Sequence, residues 1–196
     1  WLQVKADLAR PVAMHRLVQG DVGSGKTVIA ALAVAAAVGS GFQAAVMAPT
    51  EILAAQLYSK LSQWFEGVGV KIVFLKGGLG EREKRERLVG LADGTVSLAV
   101  GTHALIQDSV QFARLGLSVV DEQHRFGVAQ RIALREGGVH ILGMSATPIP
   151  RSLAMTYLAD LDVSVIDEGV TDAGCVGLVV LSRLAPDAGN TKRLHY

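Results

Sequence analysis

The stretch GDVGSGKT, residues 20–27, decides the fold of this chain. It fits the pattern G-x-x-x-x-G-K-[S/T] at every fixed position, follows the apolar run HRLVQ and opens an alanine-rich helical pattern. Glycines at these spacings let successive backbone N–H groups converge on phosphate oxygens, and the positive end of the following helix faces the same anion. The stretch therefore predicts a phosphate-binding loop between a buried strand and a helix.

All eight residues of this loop are predicted to contact a nucleotide. Lys26 would supply the cation for the β- and γ-phosphates, and the hydroxyl of Thr27 is suited to bind Mg²⁺. A chance match to the pattern in a chain of 196 residues has a probability on the order of one per cent. The predicted nucleotide-binding residues are Gly20, Asp21, Val22, Gly23, Ser24, Gly25, Lys26 and Thr27.

Apolar runs alternate with helical patterns along most of the chain. The alternation, with short connections, predicts an α/β domain built on a doubly wound parallel sheet with helices on both faces. In such sheets, ligands bind at the carboxyl ends of the strands. The predicted strands are residues 15–19, 43–48, 71–75, 96–100, 117–121, 140–145 and 162–166, and the predicted helices are residues 26–38, 51–65, 80–92, 127–135 and 150–159.

Two carboxylates follow the apolar run LSVV, at Asp121 and Glu122. A nucleoside triphosphate needs a second group for Mg²⁺ and a group that orients the attacking water. Asp121, at the end of a parallel strand, could bind the metal, and Glu122 could act on the water. An ordinary solvated Asp-Glu turn is the alternative, and the phosphate loop in the same chain argues against it.

The composition sets limits on the class of protein. The formal net charge of +1 argues neither for nor against a nucleic-acid partner. A single cysteine, Cys175, cannot form an intramolecular disulfide, as expected in a reducing compartment. No signal-peptide pattern is present, and the apolar run around residues 28–38 is short for a membrane span. We expect a cytoplasmic protein with no membrane association.

Five segments resemble the motifs of superfamily 2 helicases. GDVGSGKT, APTEILAAQ, GTHAL, DEQHRFGV and MSATPIPR have the order and spacing of motifs I, Ia, Ic, II and III in that superfamily. The resemblance implies a RecA-like P-loop NTPase domain that binds ATP and Mg²⁺ and couples hydrolysis to movement on DNA. In this scheme Lys26, Asp121 and Glu122 are catalytic, and Thr27 and Asp121 hold the metal.

The residues within these motifs most resemble those of one branch of the superfamily. Members of that branch remodel branched DNA, such as stalled forks and Holliday junctions, in recombination and repair. Two alternatives remain open from the sequence. One is a translocase on double-stranded DNA of the transcription-repair coupling type, without strand separation. The other is a nucleotide-binding module without motor activity, although the intact Lys26, Thr27, Asp121 and Glu122 argue against a degenerate copy.

The resemblance also implies roles for residues that local patterns alone would not assign. Thr50 fits an ordinary helix N-cap equally well, since a cap and a phosphate contact use the same helix end. The residues implied in DNA binding are Pro49, Thr50, Gly77, Gly78 and Thr102, and those implied in coupling the γ-phosphate to movement on DNA are Gln123, His124, Ser145 and Thr147.

The chain divides into three predicted segments. Residues 1–13 would form a lead-in helix, residues 14–168 the RecA-like ATP-binding domain, and residues 169–196 a divergent tail or the start of a linker. The resemblance implies a second RecA-like domain and an N-terminal wedge domain outside this chain. We therefore expect a monomer whose hydrolysis in isolation is weak or absent, because loss of an arginine supplied in trans alone can cost ~10³–10⁵ in rate.

Overall fold

The computed structural model describes residues 1–107, 109–122, 138–147 and 161–166. Seven parallel strands in this part of the chain form one sheet with the order β3-β4-β2-β5-β6-β1-β7. The strands are β1 (His15–Gln19), β2 (Gln43–Met47), β3 (Ile72–Leu75), β4 (Leu98–Gly101), β5 (Leu115–Val120), β6 (His140–Ser145) and β7 (Asp162–Val165). The helices are α1 (Leu2–Leu8), α2 (Lys26–Gly39), α3 (Glu51–Trp64) and α4 (Glu81–Ala92), with a 3₁₀ turn at His103–Ile106.

The predicted doubly wound parallel sheet is confirmed, because apolar side chains from alternate positions of the central strands enter two separate cores. On β2, Val46 packs in the core that contains α2 and α3, and Met47 packs in the core that contains the end of α4. The helices predicted at residues 127–135 and 150–159, and the tail at 169–196, lie outside the described residues.

Small side chains let α2 lie close to the sheet. Its buried positions are four alanines and one valine, Ala30, Ala31, Ala33, Val34 and Ala35. The strand beneath it, β2, is buried along its whole length, as expected of a central parallel strand covered on both faces. Within the described residues, no helix has both the length and the apolarity needed to cross a membrane.

The first residues of two strands differ by two positions from the prediction, for identifiable reasons. The fourth strand begins at Leu98 instead of residue 96, because the Val96 N–H donates to the Gly90 carbonyl (2.8 Å) at the end of α4. The fifth begins earlier, at Leu115, and includes Gly116, where a Cβ atom would lie 2.7 Å from the Phe42 side chain. Glycine at 116 therefore permits close packing and does not end the strand.

A buried ion-pair network joins α1 to the edge of the sheet. The Arg16 guanidinium donates to Asp7 on α1 (2.6 Å) and to the Ser164 hydroxyl on β7 (2.8 Å), and lies 3.5 Å from Asp162. Asp7 and Arg16 are only 7% and 8% exposed. The segment before β1 is thus attached to the domain by a charged contact as well as by the apolar packing of Val4.

Candidate functional site

The strand order places the predicted nucleotide-binding groups at one part of the carboxyl edge. Strand β6 lies between β5 and β1, so the residues that follow these three strands are neighbours. Asp121 follows β5, the phosphate loop follows β1, and Ser145 ends β6. Three segments that are distant in sequence are therefore brought together at one edge of the sheet.

The loop at residues 20–27 has a backbone that depends on glycine. Gly23 and Gly25 have positive φ angles of 86° and 91°, which side chains with a Cβ rarely adopt. At Gly20, a Cβ would lie 2.4 Å from the Ser24 hydroxyl. Gly25 is the N-cap of α2, and no side chain caps that helix. The first N–H groups of α2 lack intrahelical partners and can bind phosphate oxygens.

Lys26 folds over the loop that carries it. Its ammonium donates to the carbonyl oxygens of Gly20 and Asp21, the latter at 2.7 Å. Burial raises the pKa of Asp121 across the edge, and the charge of this ammonium opposes that rise in part. The cation of the loop after β1 and the acid that follows β5, two strands away, therefore lie within electrostatic range of each other.

Asp121 is partly buried at the end of β5, and its main chain is bonded to the neighbouring strand. Its N–H donates to the Met47 carbonyl on β2 (2.8 Å). Burial raises the pKa of Asp121, and the adjacent Glu122 carboxylate raises it further, while a hydrogen bond from the Glu122 N–H (3.1 Å) and the charge of Lys26 partly offset this. A carboxylate whose charge is disfavoured in this way is suited to a bound cation.

The protein oxygen atoms at this edge would bind Mg²⁺ only together with oxygen atoms of a nucleotide. Thr27 and Asp121 offer the hard oxygen atoms that Mg²⁺ prefers. Within the described ranges, no group of three or more His, Cys, Asp or Glu side chains could hold a metal alone. This matches the usual Mg²⁺ site of phosphoryl-transfer proteins, in which one or two protein oxygens are supplemented by phosphate and water.

Glu122 has an unusual backbone and an unpredicted contact. With a φ of 51°, it is the one non-glycine residue of the described segments in the left-handed region, a conformation that costs ~1–3 kcal/mol. Its carboxylate accepts a long hydrogen bond from the Ala146 N–H (3.4 Å). The resemblance implies that Gln123 and His124, which lie outside the described residues, share with Ser145 and Thr147 the task of coupling. In the structure, it is Glu122 that contacts residues 145–147.

Residues 145–147 also contact the phosphate loop. The Gly20 N–H donates to the Ser145 carbonyl (3.3 Å). The Ser145 hydroxyl accepts from the Thr147 N–H (3.2 Å) and lies 3.1 Å from both the carbonyl and the hydroxyl oxygens of Thr147. The segment predicted to sense the nucleotide is therefore bonded on one side to the loop and on the other to the acidic pair.

The predicted DNA-binding residues lie at the other half of the same edge, after β2, β3 and β4. Thr50 is exposed and caps α3 by accepting from the Leu53 N–H (3.3 Å). The loop after β3 is tied to that helix, because the Gly77 N–H donates to Glu51 (2.7 Å). Thr102 is only 8% exposed. Pro49, Gly77 and Gly78 retain some or full exposure. A role of these five residues in DNA binding stays a prediction.

Comparison with known proteins gives a consistent result. The family model described as DEAD/DEAH box helicase matches residues 6–156. The ATP-dependent DNA helicase RecG of Acidithiobacillus ferridurans is 55% identical over 167 residues, which cover 84% of this chain and 24% of that protein. The RecG of Escherichia coli O157:H7 is 51% identical over 172 residues, which cover 85% and 25% respectively. The chain thus spans about a quarter of the length of these relatives.

Solved structures agree with these relatives. A RecG bound to a three-way DNA junction superposes with a TM-score of 0.76 at 42% identity, over 87% of this chain and 23% of that one. A DEAD box protein from Methanococcus jannaschii has a TM-score of 0.64 at 21% identity, over 85% of this chain and 47% of that one, and shows the fold alone. The resemblance predicted from the five motifs is confirmed, as is the RecA-like fold.

Proposed function

Because the chain belongs to the DEAD/DEAH box helicase family, we propose that it contains the ATP-binding motor domain of a RecG-like DNA helicase. In this proposal the domain binds Mg-ATP and couples hydrolysis to translocation along DNA, and the whole protein remodels branched DNA such as stalled forks and Holliday junctions. The observation that carries the proposal is the junction of β5, β6 and β1, where the phosphate loop, the acidic pair and residues 145–147 meet.

Each group at this junction has a distinct task. The glycine-rich loop and the first turn of α2 hold the phosphates through backbone N–H groups, and Lys26 neutralises their charge. Thr27 and Asp121 would hold Mg²⁺, which neutralises charge that develops on the phosphate oxygens. Glu122 would orient the attacking water and accept its proton. Since Glu122 bonds to Ala146, this task also couples the reaction to residues 145–147.

DNA would lie along the ends of β2, β3 and β4. In support, the RecG in the solved complex is bound to a three-way junction, and the exposed N-terminus of α3 presents backbone donors of the kind that bind phosphates. We propose Pro49, Thr50, Gly77, Gly78 and Thr102 as contacts. The relatives are about four times as long as this chain, which accommodates a second RecA-like domain and a wedge domain as partners of the motor domain.

Titration calorimetry on the chain tests the nucleotide site. ADP and a non-hydrolysable ATP analogue are titrated with and without Mg²⁺ into the natural chain, into Lys26→Ala and into Lys60→Ala, a control at an exposed lysine on α3. We expect magnesium-dependent binding that Lys26→Ala abolishes and Lys60→Ala preserves. Equal binding by all three proteins would refute the assignment of the phosphate loop.

A chimera tests the motor function. Residues 6–156 replace the matching segment of the E. coli O157:H7 RecG, to which the chain is 51% identical. We expect hydrolysis of ATP that is stimulated by branched DNA and lost on Glu122→Gln, a change that keeps the shape of the side chain. Stimulation by linear duplex alone would favour a double-stranded-DNA translocase. A folded chimera that binds ATP without any stimulation would favour a nucleotide-binding module.

A further inference from the structure

One buried side-chain amide beside the phosphate loop has no hydrogen-bond partner in the described part of the chain. Gln19, the last residue of β1, is 7% exposed, and its Nε2 is buried without an acceptor. The backbone carbonyl of the same residue is paired, since it accepts from the Ile166 N–H (2.8 Å). A buried donor without an acceptor is unfavourable, and native proteins retain few such groups.

The sheet register places Gln19 directly beside Ser145. The two residues are paired across β1 and β6, and Gly20, which follows Gln19, donates its N–H to the Ser145 carbonyl. Paired residues of parallel strands project their side chains from the same face of the sheet, and the strands lie ~4.8 Å apart. The side chains of Gln19 and Ser145 therefore start from adjacent positions on one face of the sheet.

That hydroxyl can accept one more hydrogen bond. A serine oxygen has one hydrogen and two lone pairs. One lone pair accepts from the Thr147 N–H, and the second lone pair is open when the Ser145 hydroxyl donates its hydrogen to the carbonyl or hydroxyl oxygen of Thr147. Ser145 is fully buried, so water does not compete for the second lone pair. Gln19 is the residue whose paired position supplies a donor for it.

The contact between residues 145–147 and Glu122 is weak. Glu122 Oε1 accepts from the Ala146 N–H at 3.4 Å, the long end of the hydrogen-bond range. In the proposed reactive state the carboxylate turns toward the attacking water, and residues 145–147 then lose this weak contact. A second set of contacts is needed to hold the segment in the reactive state.

We propose that Gln19 is a positioning residue whose side-chain amide donates to the Ser145 hydroxyl in the triphosphate-bound state. This bond holds residues 145–147 against the phosphate loop after Glu122 has released Ala146. The inference rests on the proposed function, and it assigns to the residue before the loop a part in distinguishing ATP from ADP. In this proposal the Nε2 of Gln19 lacks an acceptor without nucleotide and gains one when the triphosphate is bound.

Gln19→Met tests this role, because methionine has a similar length and shape and lacks the donor. We expect the preference of the natural chain for the non-hydrolysable ATP analogue over ADP, measured by titration calorimetry with Mg²⁺, to fall about fivefold in the variant, as loss of one net hydrogen bond predicts. ADP affinity should be unchanged. The thermal midpoint without nucleotide should be unchanged or higher, since an unpaired buried donor has been removed. Gln63→Met, at an exposed position on α3, is the matched control.

The Ser145→Ala variant identifies the acceptor. If the amide of Gln19 bonds to this hydroxyl, Gln19→Met in a Ser145→Ala background should cause no further loss of preference for the ATP analogue. If each substitution lowers the preference for the ATP analogue and the double variant shows the product of the two effects, the residues act separately. That result would overturn the proposed hydrogen bond between them.

A measurement on the natural chain avoids dependence on how the variant folds. The side-chain NH₂ signals of Gln19 in an ¹⁵N spectrum are assigned by their absence in Gln19→Met. We expect one of its two protons to shift downfield and to exchange more slowly with the ATP analogue than with ADP. Identical signals in the two states would overturn the inference.

The remaining outcomes separate this inference from the function on which it rests. A natural chain that binds both nucleotides, with a preference that Gln19→Met leaves unaltered, overturns the role of Gln19 and leaves the motor domain standing. A lower thermal midpoint with equal losses for ADP and the analogue would show that the amide supports the fold alone. A natural chain that binds neither nucleotide overturns both proposals.

Discussion

Breaking the buried pair of Arg16 and Asp7 should destabilise the domain more than any exposed charge change. Arg16 lies in β1 and Asp7 in α1, and both are more than nine-tenths buried with a 2.6 Å contact. Removing one member of a buried pair leaves an uncompensated charge and costs ~3–5 kcal/mol. In Asp7→Ala, Arg16 keeps the Ser164 hydroxyl and the more distant Asp162 carboxylate, so the lower end of this range applies.

A loss of ~3 kcal/mol corresponds to a fall of ~6–12 °C in the thermal midpoint of a domain of this size. Urea titration and thermal unfolding both measure it. Arg10→Met is the control, because Arg10 lies 3.7 Å from the same carboxylate with its side chain 67% exposed, and an exposed pair contributes less than ~1 kcal/mol.

The double variant Asp7→Leu with Arg16→Met decides whether charge or packing is responsible. Replacing both members by apolar side chains of similar size removes the buried charges together, so its free energy of unfolding should lie within ~1 kcal/mol of the natural chain. A double variant as unstable as Asp7→Ala would refute the electrostatic reasoning. Equal effects of Asp7→Ala and Arg10→Met would refute the importance of burial.

Three further results are expected. Asp121→Asn should raise the free energy of unfolding at pH 7, because burial and Glu122 raise the pKa of Asp121 above its ordinary value of 3.8. A carboxyl with a raised pKa stabilises the fold while it is protonated and loses that contribution as the pH rises through the raised pKa. Urea titrations should therefore show the advantage of Asn disappear as the pH falls through the raised pKa of Asp121. Thr50→Ala should cost ~1 kcal/mol through loss of the α3 cap, seen as a lower thermal midpoint. Gly101→Ala should cost ~1–3 kcal/mol in urea titration, because a Cβ there would lie 2.6 Å from the Leu75 carbonyl oxygen.

The parts of the domain that could be predicted are those encoded by local patterns. The phosphate loop is one contiguous stretch, and central parallel strands such as β2 are buried on both faces, so they stand out as apolar runs. Asp121 and Glu122 were identifiable because they follow such a run directly. The bounds of β1 and β6 agree with the prediction at both ends.

The parts that could not be predicted depend on partners far apart in sequence. Gln43 begins β2 and looks like a residue at a solvent boundary, yet it is 4% exposed. Its amide donates to the carbonyls of Leu91 and Val96 and its oxygen accepts from the Arg114 N–H. Arg10 and Arg16 were equally plausible partners of Asp7. No pattern in the sequence distinguishes a buried polar clamp from a polar strand end.

The order of the strands explains why the acidic pair is the connection between the two halves of the carboxyl edge. Strand β5 is the border, with β6 and β1 on its nucleotide side and β2, β4 and β3 on the side predicted to bind DNA. Asp121 donates its N–H to Met47 of β2, the strand that leads into Thr50 and α3. Glu122, the next residue, accepts from Ala146, which follows the residue bonded to Gly20. A displacement of residues 121–122 therefore alters hydrogen bonds on both sides of the border. A displacement of the phosphate loop alters the bond from Gly20 to Ser145, which lies on the nucleotide side.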